Sequence, residues 1–351
     1  MRRYVRLVAA FSLAALVGCG DGSGPIRPRS FFMGFSAIPP RMDAAIVVPA
    51  INLWARRADA AIIHASPPWA AMLGGAPPAA AVDTVEVPLA NYFRAKGLAL
   101  VFTVDATDGL NRAAEAPELV AAGRSVTDTA VQRLYREWVF AVAKKLRPDY
   151  LGLVAETNLI RAAAPDSVYR AVVVMANAVA REIRDSALPS PLYVSAQVET
   201  AWGRPGSTYI GIAQDLTDFP FVSAIGLSSY PYLGGFALPE DLPLDYYSRL
   251  VQGTTLPVLV VEGGWPSIAV SSVTSSPALQ ARYITRQLEL LDQAHAKGIF
   301  QLTFYDIDLT GVTLPPGSIL PLFTHLGLAD SAFNAKPALA VWDAAFVRPR
   351  Q

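Results

Sequence analysis

From Phe31 onward, short apolar runs alternate with longer stretches whose apolar residues recur every three or four positions. The runs are Phe32–Ser36, Ala60–His64, Ala99–Asp105, Tyr150–Glu156, Leu192–Val198, Val222–Ser228, Val258–Glu262 and Phe300–Tyr305. Their interiors are almost free of charge and rich in aliphatic residues, the pattern of strands buried on both faces in a parallel sheet. Between them Val131, Leu134, Tyr135, Trp138, Val139, Val142 and Leu146 form one helical stripe, behind a Ser125-x-x-Asp128 start signal. Val168, Val172, Met175, Val179 and Ile183 form a second, and Leu279, Tyr283, Leu288 and Leu291 a third. Only after the second run is the helical pattern broken, where Pro77, Pro78 and Pro88 crowd it. Eight strands with intervening helices predict an α/β fold, a single (β/α)8 TIM barrel over residues 31–348. The alternative, an open doubly wound sheet, lacks a Gly-rich phosphate loop after its first strand.

The first thirty residues follow a different pattern. Met1 to Arg6 is cationic, Leu7 to Val17 is apolar but short for a bilayer span, and the stretch ends Leu16-Val17-Gly18-Cys19. This resembles the lipobox of bacterial lipoproteins. The resemblance implies a signal peptide over 1–18, a lipid anchor on Cys19 and residence in the cell envelope, at a membrane surface. Cys19 is the only cysteine, so no disulfide can form within the chain. Residues 19–30, rich in Gly, Ser and Pro, read as a flexible tether. Acyl chains contribute about 0.8 kcal/mol of membrane affinity per buried CH₂.

Charge adds little: 29 Lys and Arg balance 29 Asp and Glu among 351 residues, 52% of them hydrophobic. No basic face offers itself to nucleic acid. Three histidines and one cysteine argue against a catalytic zinc centre, and no other cofactor is indicated. A monomer is expected.

The chemistry sits where strands end. In a barrel the carboxyl ends of the strands form the active face. They would deliver His64 and Trp69 after the second strand, Asp105 after the third, Glu156 and Asn158 after the fourth, and Glu199 and Trp202 after the fifth. Tyr230 follows the sixth, Glu262 and Trp265 the seventh, and Tyr305 and Asp306 the eighth. Carboxylates and aromatics at one end, with uncharged strand interiors, suit sugar chemistry: acids act on the glycosidic bond and rings stack on pyranose faces. Each aromatic could equally be ordinary packing, and Asp105, Glu199 and Asp306 could be structural ion-pair partners.

Glu156 and Glu262, 106 residues apart at the ends of the fourth and seventh strands, resemble the acid/base and nucleophile of the clan A glycoside hydrolases. Ala224-Ile225-Gly226-Leu227-Ser228-Ser229-Tyr230-Pro231 is similar to the sixth-strand segment of the family 53 endo-β-1,4-galactanases. Glu262-Gly263-Gly264-Trp265-Pro266-Ser267 is similar to the nucleophile segment of family 17 β-1,3-glucanases. The resemblance implies retaining hydrolysis of β-glycosidic bonds in a carbohydrate substrate. Glu262 would be ionised and attack, and its charge would help hold Glu156 protonated. Tyr230 would hydrogen-bond the nucleophile, and Trp69, Trp202, Trp265 and Tyr305 would stack on sugars. One departure stands out: Ala155 occupies the place where the clan usually has Asn before the acid/base. Ala155 favours a competing reading, a catalytically silent glycan-binding lipoprotein, while retention of both glutamates opposes it. Barrel enzymes of unrelated chemistry find no strand-end lysine and no Gly-rich phosphate loop.

Overall fold

Eight parallel strands hydrogen-bond in chain order and the eighth returns to the first, closing a barrel. They are β1 (Phe32–Ser36), β2 (Ala60–Ala65), β3 (Ala99–Val104), β4 (Tyr150–Val154), β5 (Leu192–Gln197), β6 (Ala224–Ser229), β7 (Val258–Gly263) and β8 (Gly298–Gln301). The computed structural model describes residues 27–351 except 42, 205 and 207; the leader, Cys19 and most of the 19–30 tether lie outside these. Among the described residues no helix is long and apolar enough to cross a membrane.

The expected barrel is therefore the observed one, with shifts at the ends. β8 begins two residues early and stops at Gln301; Thr303 to Tyr305 leave the sheet, and Tyr305 forms only an isolated bridge to Ala329. The proline-rich stretch after β2 forms three short helices, Trp69–Leu73, Pro78–Thr84 and Glu86–Ala95, because Pro77 and Pro78 each suit a helix start but not its interior. Residues 27–30, assigned to the tether, are part of the fold. Arg29 is buried, donates to Asp59 and to the Phe31 carbonyl, and pairs with Arg350 at the other end of the chain.

Two apolar cores flank the sheet. The barrel interior holds Ile62, Val101, Tyr193, Leu259, Val261 and Phe300, among others. Its large rings need small partners. A Cβ on Gly152 would stand 2.5 Å from the Tyr193 ring, and one on Gly34 2.7 Å from Phe300. This alternation of large and small side chains fills the interior, as in barrels of eight strands generally. The Tyr193 hydroxyl meets Thr103 at 2.5 Å, so its polar end is satisfied.

Outside, helices cover the strands with the stripes read from the sequence. Helix Thr129–Leu146 buries Val131, Tyr135, Trp138, Val139, Val142 and Leu146, and helix Asp166–Asp185 all five residues of its stripe. Before the first of these, Asp128 is itself the N-cap and accepts a hydrogen bond from the backbone N–H of Ser125 in the preceding turn, so the predicted start signal lies one turn ahead of the helix. Helix Pro277–Gln293, capped by Ser276, departs from its predicted stripe. It turns Gln280, Tyr283, Ile284, Gln287, Leu290 and Leu291 inward, with Leu279 and Leu288 at the edge. Two glutamines can occupy that face because they are bonded. Gln280 donates to three backbone carbonyls, and Gln287 accepts from Gln301 at 2.6 Å.

Candidate active site

Local backbone irregularities aim two glutamates at one point. At β7 the register with β6 shifts: Leu227 faces Val260, but Ser228 faces Glu262. Such a bulge turns two successive residues toward the same side, so Val261 fills the interior while Glu262 reaches the mouth beside it. Gly263 and Gly264 follow at φ 158° and 156°. A Cβ on Gly263 would lie 2.4 Å from the Ser229 carbonyl oxygen, which accounts for the glycine immediately after the acid. At β4 the register also slips, between Gly152 and Val154. Glu156, two residues past the strand, adopts a left-handed conformation (φ 49°, ψ 49°) at the N-cap position of the helix Thr157–Ala163, its carboxylate making no cap bond. That conformation costs a non-glycine residue about 1–3 kcal/mol and is held here by its surroundings: its N–H donates to Ser195 Oγ at 2.8 Å.

The carboxyl groups meet across a single hydroxyl. Ser228 Oγ lies 2.6 Å from Glu156 Oε1 and 2.8 Å from Glu262 Oε1, so those two oxygens are at most 5.4 Å apart. A hydroxyl has one hydrogen to give. With both acids ionised, one of the two contacts would set lone pair against lone pair; one shared proton makes both favourable. Glu156 Oε2 accepts from Arg112 Nε at 2.9 Å, and the other arm of Arg112 reaches Asp105 at 2.8 Å. Arg112 is 6% exposed, so this triad is screened little by solvent.

Glu262 has no such cation in contact. Burial, and then the charge of Glu156, push its carboxyl up to about 8. Burial and the neighbouring charge thus favour the protonated form of Glu262, whereas the sequence reading expected it ionised; Glu156 alone has a cation beside it. That cation is Arg112, which the sequence reading passed over. It lies in the loop after β3 with no motif to mark it, its one signal being Asp105 and Asp108 just upstream. His64, at the end of β2, places Nε2 3.7 Å from Glu262 Oε2. Burial lowers its pKa, favouring the neutral ring, and among the described residues neither ring nitrogen has a hydrogen-bond partner of good geometry.

A cavity of about 180 Å³ opens above the pair, lined by Arg112, Gln197 and Tyr230 and walled by Leu110, Leu159, Leu233, Leu302, Ile319 and Phe323. Tyr230 is at the mouth as expected, but no hydrogen bond joins it to Glu262; Ser228 holds that place.

Several other sequence candidates lie away from the cavity. Trp69, Trp265 and Tyr305 are at most 1% exposed, and Trp202 is 8% exposed beneath the Arg249 guanidinium. The Trp265 indole donates to Ser275, that of Trp202 to the Tyr246 carbonyl, and the Tyr305 hydroxyl to the Ala50 carbonyl. These rings pack and have no open face for a sugar. Asn158 is fully buried and both ends of its amide bond the Gln197 backbone, so it braces β5 and does not replace the missing Asn at Ala155. Glu199 ties the Tyr230 N–H to the Tyr246 hydroxyl, and burial raises its pKa to about 7. Asp306 pairs with Lys336 and His325 in a separate groove beside β8. Among the described residues no group of three or more His, Cys, Asp or Glu is placed to hold a metal ion.

No family model matches the sequence, and no curated protein matches it. Solved structures do share its fold. An exo-β-1,4-mannosidase, Op5Man5, from Opitutaceae bacterium strain TAV5 superposes with a TM-score of 0.67 at 15% identity, over 91% of this chain and 59% of the mannosidase. The Ignisphaera aggregans GH53 catalytic domain gives 0.64 at 15% identity, over 92% of this chain and 98% of that one. Xylanase 10B from Thermotoga maritima gives 0.64 at 14% identity, over 90% and 95%. This chain thus spans under two thirds of the mannosidase and nearly the full length of the other two. The fold shared with these glycoside hydrolases, which include members of families 39 and 53, is the (β/α)8 barrel.

Proposed function

We propose that the protein is a retaining β-glycosidase in which Glu262 is the nucleophile and Glu156 the acid/base. The observation that carries this is the shared hydroxyl. Two acids whose facing oxygens are at most 5.4 Å apart suit direct attack. Inverting enzymes need about 6.5–9.5 Å between carboxyl groups to admit a water. Glu262 attacks the anomeric carbon to form a glycosyl ester while Glu156 gives its proton to the leaving oxygen. Glu156 then takes a proton from the incoming water, whose oxygen displaces Glu262.

The resting proton must first change sides. Glu262 donates to Ser228 Oγ while the Ser228 hydrogen passes to Glu156, leaving an anion at the nucleophile and an acid at the leaving group. No net charge moves into or out of the site. Arg112 opposes this step by favouring the Glu156 anion, and a substrate oxygen lodged between Arg112 and Glu156 would ease it.

The alternative, a glycan-binding barrel without chemistry, has less support. It does not require two acids in contact with one hydroxyl, nor a bulge and two glycines to aim one of them. The names of structural neighbours (mannosidase, galactanase, xylanase) set the panel to try: β-1,4-linked mannan, galactan and xylan, with β-glucans added. Hydrolysis of one of these by the wild type, lost in both Glu262→Gln and Glu156→Gln, is the expected result. Equal residual rates in all three proteins would remove the catalytic assignment. We further propose export and anchoring through Cys19. Radiolabelled palmitate should enter the expressed wild type and not Cys19→Ala; equal labelling of the two would refute the anchor.

A further inference from the structure

The cavity over the two acids is small and partly covered. About 150 Å³ is enough to enclose a bare six-membered ring, and clefts for drug-sized ligands run about 300–1,000 Å³. At about 180 Å³ this one takes a single pyranose. The roof is the segment after β8, which brings in Leu302, Ile319 and Phe323.

That roof is fastened on several sides. The Tyr232 hydroxyl, from the loop after β6, donates to the Leu322 carbonyl at 3.0 Å. The Ser267 N–H, after β7, donates to the His325 carbonyl, and the Asp308 N–H to the Pro40 carbonyl after β1. Phe323 packs edge-on against Tyr230 with ring centroids 5.0 Å apart. The four aromatics that could have floored a long groove, Trp69, Trp202, Trp265 and Tyr305, are buried in packing.

We propose that the site admits only the terminal sugar of a chain, so that the enzyme is exo-acting and releases monosaccharides from the non-reducing end. The direction follows from the acids. The sugar inside the cavity is the one whose anomeric carbon faces Glu262. Its glycosidic oxygen points back toward Glu156, so its remaining hydroxyls face the lining of Leu110, Leu159, Leu233, Leu302, Ile319 and Phe323, which a further residue on any of them would have to displace. This inference rests on the glycosidase reading.

The test uses the purified protein with two kinds of probe: p-nitrophenyl β-monoglycosides, and β-1,4-linked pentasaccharides of mannose, galactose, glucose and xylose labelled at the reducing end. The expected result is release of nitrophenol from at least one monoglycoside. The matching pentasaccharide should shorten one residue at a time, with free monosaccharide from the earliest time point. Early appearance of labelled di- and trisaccharides without the tetrasaccharide, absent in Glu262→Gln, would overturn exo action and leave the glycosidase reading standing. No turnover of any probe, with wild type and Glu262→Gln alike, would overturn both.

Discussion

Replacing Glu262 with Gln should stabilise the protein, and by more as the pH rises. Glu262 is raised from an ordinary 4.5 to about 8 by burial and by the nearby charge of Glu156. Below pH 4.5 it is protonated folded or unfolded and costs nothing. Between 4.5 and 8 the unfolded chain ionises freely while the folded one does not, so stability falls as pH climbs, and above 8 the loss is constant. At about 1.4 kcal/mol per pKa unit, a shift from 4.5 to 8 sets a ceiling of about 4–5 kcal/mol. At pH 5.5 the same reckoning leaves about 1 kcal/mol. Gln keeps the shape and can still accept from Ser228, but carries no charge to desolvate. Urea denaturation of wild type and Glu262→Gln at pH 5.5, 7.0 and 8.5 reads the effect, with the midpoint converted through a common slope. The variant's advantage should widen by at least about 1 kcal/mol from pH 5.5 to 8.5, part of the ceiling being lost to relaxation. Glu156→Gln should go the other way, destabilising by about 1–3 kcal/mol, because it strips a charged acceptor from buried Arg112. A Glu262→Gln variant less stable than wild type at every pH, or a gap that does not widen, would refute the placing of the proton.

Other consequences follow from the same contacts. Arg112→Gln leaves Glu156 and Asp105 facing each other without their cation and should cost about 3–5 kcal/mol near neutrality. A loss under about 1 kcal/mol in chemical denaturation would count against the triad's role. The reaction requires one proton on the pair, so kcat/KM should fall about tenfold per unit above an apparent pKa near 8 as that last proton leaves. A rate still rising at pH 9.5 would contradict this. Gly263→Ala places a methyl 2.4 Å from the Ser229 carbonyl oxygen and should abolish activity while lowering the thermal midpoint; a fully active, equally stable variant would show that the β7 end does not need glycine.

The barrel was legible because its strands are buried on both faces: runs such as Val258–Val261 admit no polar residue and announce themselves without a partner. The glutamate positions were legible for the same reason, since a carboxylate that ends such a run can only be at its mouth. What surrounds them was not. Trp69, Trp202, Trp265 and Tyr305 lie next to strand ends in sequence, yet each ring is turned into packing: Trp265 against Tyr283, Trp202 against Tyr246 and Arg249, and Tyr305 onto the Ala50 carbonyl. Nearness in sequence fixes distance along the chain but not the direction of a side chain. Arg112 sits seven residues past Asp105 in an irregular loop, and its two ion pairs join positions 7 and 44 residues away. No local pattern encodes a contact of that kind. Gln280 and Gln287 misled the helix stripe because buried amides are affordable only where backbone or other amides meet them, a fact of the tertiary structure alone.

The claim on which the rest depends is that Glu262 attacks sugar. Incubating the wild-type protein with 2-deoxy-2-fluoro-β-glycosyl fluorides of the sugars it cleaves, then mapping peptides by mass spectrometry, tests this directly. The account predicts one added 2-fluoroglycosyl group, on the peptide carrying Glu262, absent in Glu262→Gln and present in Glu156→Gln. An adduct on any other residue, or time-dependent loss of activity with no adduct at all, would contradict it.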